Sequence, residues 1–208
     1  MKLLVLGATG GIGLEIVRQA IAHHHSVTAF VRSPARLAAF QDRIAFQQGD
    51  SLNSSQLEQA IQGNDAVLSA FGPRVPVAKT DANLLRDFAS ALTSAMLRAS
   101  VRRLVIVSTA FLFKDSILPP AHVVGRLFFP GVVADASATE RTIAESRLDW
   151  TIVRPPRLTD KPSSGRYRVS EGYLPLFGFN ISRADVADCL IKTAEHGAYF
   201  GKVLSVSN

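Results

Sequence analysis

The stretch VLGATGGIG, residues 5–13, decides the fold that the sequence predicts. It follows a short apolar run and leads into a segment with apolar residues at helical spacing, residues 11–22. In such a strand-turn-helix unit, Gly7 permits a tight turn, Gly10 lets a diphosphate approach the backbone, and Gly13 brings helix and strand into contact. The free amides and positive dipole at the start of the helix also favour a diphosphate. The stretch therefore predicts a dinucleotide-binding site.

Short apolar runs alternate with helical segments along the whole chain, as is typical of a parallel sheet with helices on both faces. The sequence shows no internal repeat and no interdomain linker. We therefore predict an α/β fold, a single doubly wound Rossmann domain with a mostly parallel sheet, over residues 1–208. The predicted strands are residues 3–6, 27–31, 44–47, 66–70, 104–107, 151–153, 167–169 and 203–206, and the predicted helices are residues 11–22, 54–61, 83–99, 137–146 and 184–194.

Two stretches, residues 114–135 and 157–178, are rich in Pro, Gly and aromatic residues and are expected to be irregular. Both follow predicted strands at the carboxyl edge of the sheet, where doubly wound folds bind their ligands. We therefore expect both stretches to form loops on the substrate side.

Charge and composition narrow the functional class. The net charge is +6, but the arginines are dispersed and no stripe of basic and aromatic residues occurs, which favours anionic small molecules over nucleic acid. The single cysteine, Cys189, is expected to be buried in a late helix and points to a reducing compartment. No uncharged apolar run of about 18 residues occurs, and the N-terminal apolar run is too brief for a signal peptide. We expect a cytoplasmic protein with no membrane association.

The end of the second predicted strand indicates which dinucleotide is bound. NAD-binding domains usually place an acid there for the adenosine ribose, whereas this chain has FVRSPARL, residues 30–37. Arg32 and Arg36, with Ser33 as a hydroxyl donor, suit a 2′-phosphate. The alternative is that both arginines are merely solvated, but the missing acid independently favours NADP(H).

Six segments, GATGGIG, FVRSPARL, QGD, STAFLF, DWTIVRPPRLTD and ISRADVADCL, together resemble the atypical short-chain dehydrogenase/reductases. The chain most resembles the group of biliverdin-IXβ reductases and NADPH-dependent flavin reductases, over nearly its whole length. The resemblance implies that NADPH is held by Gly7, Thr9, Gly10, Gly11, Ile12, Arg32, Ser33, Arg36, Asp50, Ser51, Ala70, Phe71, Gly72 and Arg74, and that Ser108, Thr109, Pro155, Pro156 and Leu158 surround the nicotinamide.

The resemblance also bears on the chemistry. Carbonyl-reducing members of the superfamily use a tyrosine acid and a lysine four residues later, and Tyr167, Tyr173 and Tyr199 have no such lysine. A ketone would need that acid, whereas a flavin or linear tetrapyrrole can delocalise the negative charge and take its proton from solvent. We therefore expect Ser108 and Thr109 to assist catalysis as hydroxyl groups beside the nicotinamide.

The predicted acceptor is planar and anionic: FMN, riboflavin, FAD or a biliverdin-like tetrapyrrole. Phe111 and Phe113 would give it an apolar platform, although either could equally be a core residue. Arg126 and Arg157 would attract its phosphate or propionates, although each taken alone is more simply a solvated surface residue. We expect a monomer or a weak homo-oligomer.

Two other functions remain open: a non-catalytic regulator that senses NADP(H), and a nucleotide-sugar epimerase, which the missing Tyr-Lys pair disfavours. Three adjacent histidines, residues 23–25, are expected at the end of the first helix, where neighbouring side chains point in different directions; no metal site is expected. Ser182 and Asp185 fit a helix-capping pair rather than a catalytic site. Glu140 and Glu145 are expected to be solvated.

Overall fold

The computed structural model describes residues 1–72, 83–114 and 120–208. Over these residues, eight strands form one sheet and two short strands pair separately. The strands are β1 (Lys2–Leu6), β2 (Ser26–Val31), β3 (Ala45–Gln48), β4 (Ala66–Ser69), β5 (Arg103–Val107), β6 (Asp149–Arg154), β7 (Arg157–Thr159), β8 (Arg168–Glu171), β9 (Asn180–Ser182) and β10 (Lys202–Ser207).

The large sheet has the strand order β3-β2-β1-β4-β5-β6-β10-β8. Its neighbouring strands are parallel, except that β8 runs antiparallel to β10 at one edge. The short strands β7 and β9 form a separate parallel pair. The direction of winding reverses between β1 and β4, which is the switch point where doubly wound folds bind ligands. The predicted fold class, an α/β Rossmann fold with a mostly parallel sheet, is confirmed.

Helices cover both faces of the sheet because its central strands are apolar on both sides. Along β1 the side chains alternate: Leu3 and Val5 join one buried cluster, and Leu4 and Leu6 join the other. The α-helices of the described residues are α1 (Gly11–Ala22), α2 (Ser54–Ile61), α3 (Leu84–Arg98), α4 (Ala121–Phe128), α5 (Pro130–Ala144) and α6 (Arg183–Glu195). The first cluster lies under α1 and α6, and the second under α2, α3 and α5.

The prediction that residues 114–135 are irregular was wrong. Residues 121–128 form α4, and α5 begins at Pro130, seven residues before the predicted helix start at residue 137. Pro130 stands at the start of α5, where a proline is well tolerated because its missing N–H would have no intrahelical partner. Gly125 lets α4 approach closely, since a Cβ at this position would lie 2.6 Å from Phe111 Cβ.

The second stretch also contains two strands: β8 corresponds to the strand predicted at residues 167–169, whereas β7, at the start of the stretch, was not predicted. A buried carboxylate fastens the loop between them: Asp185 Oδ1 accepts hydrogen bonds from Ser163 Oγ at 2.8 Å, Ser164 N at 2.8 Å and Gly165 N at 3.1 Å. The predicted cap is confirmed, because Ser182 Oγ accepts from Asp185 N at 2.9 Å.

Two further features complete the frame. The start of α3 is capped by another helix: Asp135 of α5 accepts hydrogen bonds from Leu85 N and Arg86 N, each at 3.0 Å.

Cys189 is buried in α6, as predicted, and this burial raises the pKa of its thiol to about 11. Among the described residues, no helix has both the length and the apolar character needed to cross a membrane.

Candidate functional site

A cavity of about 370 Å³ opens at the carboxyl ends of β1, β2 and β4. Gly7 follows β1, Arg32 follows β2 and Ala70 follows β4, so three neighbouring strands deliver residues to one place. Most of the predicted cofactor residues line this cavity: Gly7, Thr9, Gly10, Gly11, Ile12, Arg32, Arg36, Ser51, Ala70, Phe71, Gly72 and Leu158.

The glycine turn divides into packing glycines and an open one. Gly7 has a φ of +75°, and a Cβ there would lie 2.5 Å from Ala70 O. A Cβ on Gly13 would lie 2.1 Å from Gly7 O, so helix and strand touch through the backbone. A Cβ on Gly10 would meet only Gly7 O, at 3.2 Å, which leaves the side of Gly10 that faces the cavity open. Gly10 is therefore the glycine whose missing side chain leaves room for a ligand.

The start of α1 is suited to an anion. Its N-cap residue, Gly10, provides no side-chain hydrogen bond, and its first turn contains no acidic residue. The first amides of a helix have no intrahelical acceptor. Because Gly10 and Gly11 line the cavity, these amides and the positive end of the helix dipole suit a diphosphate.

The predicted adenosine end is only partly assembled. The exposed Arg32 and Arg36 both line the cavity, whereas Ser33 is exposed beside them and does not. Asp50 does not line the cavity either, and its carboxylate accepts a hydrogen bond from Leu52 N at 3.0 Å within its own turn. Arg74 lies outside the described residues.

Sequence reasoning missed three lining residues, Phe30, Val31 and Arg183. Arg183 begins α6 and packs on Gly11: a Cβ on Gly11 would lie 2.6 Å from Arg183 Cδ. Its Nη1 donates to Asp160 Oδ1 at 2.6 Å, and the Asp160 side chain is 90% exposed. The only available signal was indirect, since the predicted cap at Ser182 placed Arg183 in the first turn of a helix.

The two predicted catalytic hydroxyls follow β5. Thr109 Oγ1 accepts a hydrogen bond from Phe111 N at 3.3 Å and caps a short 3₁₀ helix, Ala110–Leu112. Ser108 Oγ donates to Glu140 Oε1 at 2.5 Å. Pro155 holds this turn through its carbonyl, which accepts from Ala110 N at 3.1 Å, and neither Pro155 nor Pro156 lines the cavity.

The expectation that Glu140 is solvated was wrong. Its residue is only 8% exposed, and its carboxylate forms a two-pronged ion pair with Arg154, with Nε at 3.0 Å and Nη2 at 2.5 Å. The guanidinium of Arg154 lies over the Phe113 ring, 4.8 Å from its centroid. The face of α5 that carries Glu140 points inward, toward the ends of β5 and β6. The charged residues of this helix therefore do not all face solvent, and one carboxylate lies beside Ser108.

A second cavity, about 530 Å³, lies beyond the ends of β5 and β6. Because α4 and α5 form its wall, the stretch predicted as a substrate-side loop does contribute residues here, but as helices. Basic side chains are prominent in its lining, which consists of Leu112, Lys114, His122, Arg126, Pro130, Val133, Ala134, Ser137, Glu140 and Arg154.

Of the four predicted substrate residues, only Arg126 lines this cavity. Phe111 stacks on Phe129 instead, with ring centroids 5.5 Å apart and planes 9° apart. Phe113 is buried beneath Arg154, so it supports a cavity residue and offers no open platform. Arg157 lies exposed on β7 and lines neither cavity.

Comparison with known proteins gives the same fold and a ligand class. Residues 7–197 match a family described as NAD(P)H-binding. The chain is 30% identical over 200 residues to the chloroplastic protein At2g34460 of Arabidopsis thaliana, covering 92% of this chain and 71% of that protein. It is 27% identical over 155 residues to the photosystem II assembly factor Ycf39 of Synechocystis, covering 74% of this chain but only 44% of Ycf39.

Among solved structures, ChuY of Escherichia coli O157:H7, an anaerobilin reductase, superposes with a TM-score of 0.83 at 22% sequence identity, covering 100% of this chain and 97% of ChuY. At this identity the similarity establishes the shared fold. The match over residues 7–197 confirms the predicted class of cofactor. The chain therefore belongs to the NAD(P)H-binding family of Rossmann proteins and binds a nicotinamide dinucleotide.

Proposed function

We propose that this protein is an NADPH-dependent reductase that transfers hydride to a planar, conjugated, anionic acceptor, either a flavin or a biliverdin-like linear tetrapyrrole. The observation that carries this proposal is the basic cavity beyond β5 and β6, beside the dinucleotide cavity on the same sheet edge. A dinucleotide with its diphosphate at α1 and its adenosine toward β2 would direct its nicotinamide toward β4 and β5. The second cavity lies beyond the ends of β5 and β6, the strands next in order along the same sheet edge.

The charges of the second cavity favour an anion. Lys114 and Arg126 line it, and His122 is held there by a 2.9 Å hydrogen bond between its Nδ1 and Phe111 O. Arg154 is already paired with Glu140, so Lys114 and Arg126 are the better candidates for a ligand's phosphate or carboxylates. The volume, about 530 Å³, falls within the range of small-molecule sites.

The two hydroxyls after β5 have different hydrogen-bonding capacity. NADPH, when bound, supplies the hydride. The Ser108 hydroxyl donates its hydrogen bond to Glu140, and its oxygen lone pairs can accept a hydrogen bond from a ligand. The Thr109 hydroxyl oxygen accepts a hydrogen bond from Phe111 N, and its O–H can donate a hydrogen bond to a ligand. The pair can orient an amide or a conjugated carbonyl without itself supplying a proton to the product.

The tyrosines do not provide an alternative acid. The Tyr167 hydroxyl donates a hydrogen bond to Asp188 Oδ2 at 2.6 Å. Burial, and to a smaller extent this hydrogen bond, raises the pKa of the phenol far above its usual range. Tyr173 and Tyr199 are exposed and line neither cavity. An acceptor that draws its proton from solvent therefore suits this site better than a simple ketone. The reductase ChuY shares the fold, which is consistent with reductase chemistry on this scaffold.

The test is NADPH oxidation with FMN, riboflavin and biliverdin as acceptors, followed by absorbance in single-turnover and steady-state experiments. We expect hydride transfer to at least one of them, and a lower KM for FMN than for riboflavin, because only FMN carries a phosphate. Arg126→Ala should raise the KM for FMN and leave that for riboflavin nearly unchanged. Arg147→Ala, an exposed arginine that lines neither cavity, is the matched control.

Failure has a clear meaning in this experiment. If the protein binds NADPH but transfers hydride to none of the three acceptors, the reductase proposal fails and an NADP(H)-sensing regulator becomes the better interpretation. If turnover occurs but Arg126→Ala affects FMN and riboflavin equally, the basic cavity is not where the phosphate binds.

A further inference from the structure

Three side chains of types that can ligate a metal meet at the C-terminal ends of α1 and α6, opposite the cavity at the start of α1. His23 caps the C-terminal end of α1, His25 follows it, and Glu195 is the last residue of α6. His25 Nε2 lies 2.7 Å and His23 Nδ1 lies 3.7 Å from Glu195 Oε1. The three potential ligand atoms all lie within 4.8 Å of one another. Two imidazoles and one carboxylate therefore converge on one point.

The backbone explains why alternate histidines face the same way. α1 ends at Ala22, and His24 has a φ of 60°, in the left-handed region. Two hydrogen bonds close this turn, from His24 N to Ile21 O at 3.1 Å and from His25 N to Ala20 O at 2.9 Å. This pattern is a Schellman motif, which ends a helix and reverses its chain. The expectation of divergent side chains concerned adjacent histidines at the helix end, whereas this turn brings together the alternate pair, His23 and His25.

We propose that His23, His25 and Glu195 form a binding site for a divalent transition-metal ion, with Zn²⁺ the best-suited ion. Imidazole and carboxylate are both common Zn²⁺ ligands, and bonds of about 2.0–2.1 Å in tetrahedral geometry require ligand atoms about 3.4 Å apart. The two His–Glu separations, 2.7 and 3.7 Å, lie on either side of that value, and the third, between the two imidazole nitrogens, is at most 4.8 Å, so side-chain rotations would have to adjust all three distances. Mg²⁺ is a poor fit because it prefers oxygen ligands.

Two further features support a cation here. The C-terminal ends of α1 and α6 both point at the cluster, and helix C-termini carry partial negative charge. The His25 side chain is only 8% exposed, while His23 is 40% and Glu195 26% exposed. Packing thus holds His25 in place. The more exposed His23 and Glu195 leave one side of the cluster open to solvent, where an ion could enter and retain water ligands.

The position of the site gives it a structural consequence. α1 and α6 also meet at their first residues, where Arg183 packs on Gly11 beside the dinucleotide cavity. An ion at the far end would join the same two helices a second time. This inference does not depend on the proposed reductase activity, and its test uses no turnover.

The experiment uses the full chain without a histidine tag. Zn²⁺ binding is measured by equilibrium dialysis, and Co²⁺, a spectroscopic substitute, is followed by its visible absorption. We expect one Zn²⁺ per chain, a Co²⁺ spectrum of low coordination number, and a rise in Tm of about 5–10 °C at an ion concentration 100 times the Kd. Mg²⁺ should produce none of these effects.

Variants assign the site. His23→Ala and Glu195→Gln should each weaken Zn²⁺ binding by at least about tenfold. His24→Asn is the matched control, because asparagine tolerates the left-handed backbone and His24 is not one of the three ligands. The proposal is overturned if the unmodified chain binds no Zn²⁺, or if His23→Ala and Glu195→Gln bind it as tightly as His24→Asn. His23 is partly exposed, so its variant should fold, and circular dichroism checks this.

Discussion

The side chain of Arg183 lies across Gly11, so that a methyl group on Gly11 would stand 2.6 Å from Arg183 Cδ and 2.8 Å from Nε. Two residues more than 170 positions apart in the chain thus line the same cavity at the start of α1. The contact joins the first residues of α1 and α6. It places a guanidinium beside the helix amides that suit a diphosphate.

Arg183→Ala should therefore weaken NADPH and NADH to a similar extent, because both carry the diphosphate. The expected loss is about tenfold, modest because Asp160 already shares the charge of the guanidinium. Nicotinamide fluorescence titration measures it, with Arg147→Ala as the control. Undiminished affinity for both cofactors would remove Arg183 from the site.

Replacing Arg32 and Arg36 together with alanine should have a selective effect. NADPH should lose roughly 10- to 100-fold in affinity and NADH little, because only NADPH carries the 2′-phosphate that these arginines would bind. The same titration measures both cofactors. Arg43→Ala, an exposed arginine off the cavity, serves as the control. Equal weakening of the two cofactors would contradict the assignment.

The glycines of the turn should separate binding from folding. Gly10→Val should abolish NADPH binding and leave the circular dichroism spectrum intact, because the new side chain would fill the open side of the turn. Gly13→Ala should lower the free energy of unfolding by roughly 1–3 kcal/mol, because its methyl would overlap Gly7 O. Urea denaturation measures the second effect. A folded Gly10→Val variant that binds NADPH normally would refute the first.

Thr109→Ala tests the solvent-proton mechanism, and so rests on the proposed function. Hydride transfer to FMN should slow by about tenfold or less, roughly 1.4 kcal/mol of barrier, because the hydroxyl only orients the ligand. An obligatory proton donor would cost about 10²–10⁴-fold. Single-turnover rates across a range of pH discriminate the two. Thr109→Ser, which keeps both the hydroxyl and the cap, should behave nearly as the unmodified chain.

Asp185 should make the stability of the protein depend on pH in acid. Burial alone would raise the pKa of this carboxyl, but hydrogen bonds from Ser163, Ser182, Gly165 and Ser164 outweigh that effect and hold the pKa below its usual value. The stabilisation is therefore complete above the usual aspartate pKa of about 3.9 and is lost as the pH falls through the lower folded-state value.

The measurement is urea denaturation of the unmodified chain and Asp185→Asn at several pH values. The variant should be less stable at neutral pH, and the gap should narrow as the pH falls below about 4. Asp42→Asn, at an exposed position, controls for the loss of a charge. A gap that stays constant down to the acid limit of folding would show that the carboxylate does not act through its charge.

What the sequence could predict was largely local. The glycine turn and β1 follow from residues that are neighbours in the chain, so spacing alone identified them. Arg183 and Glu140 could not be found this way, because their roles depend on which helices lie together. α4 was missed for another reason: Gly125 and Pro130 read as helix breakers, whereas one permits a close helix contact and the other begins a helix.

The cap of α3 comes from α5 and not from the N-cap residue of α3 itself. Asp135 satisfies the amides of Leu85 and Arg86 from across the fold, while Asn83 contributes no cap of its own. The start of α3 therefore depends on α5 and not on a capping side chain at residue 83. A change at Asp135 in one helix would loosen the first turn of the other, so the two helices are coupled in stability as well as in packing.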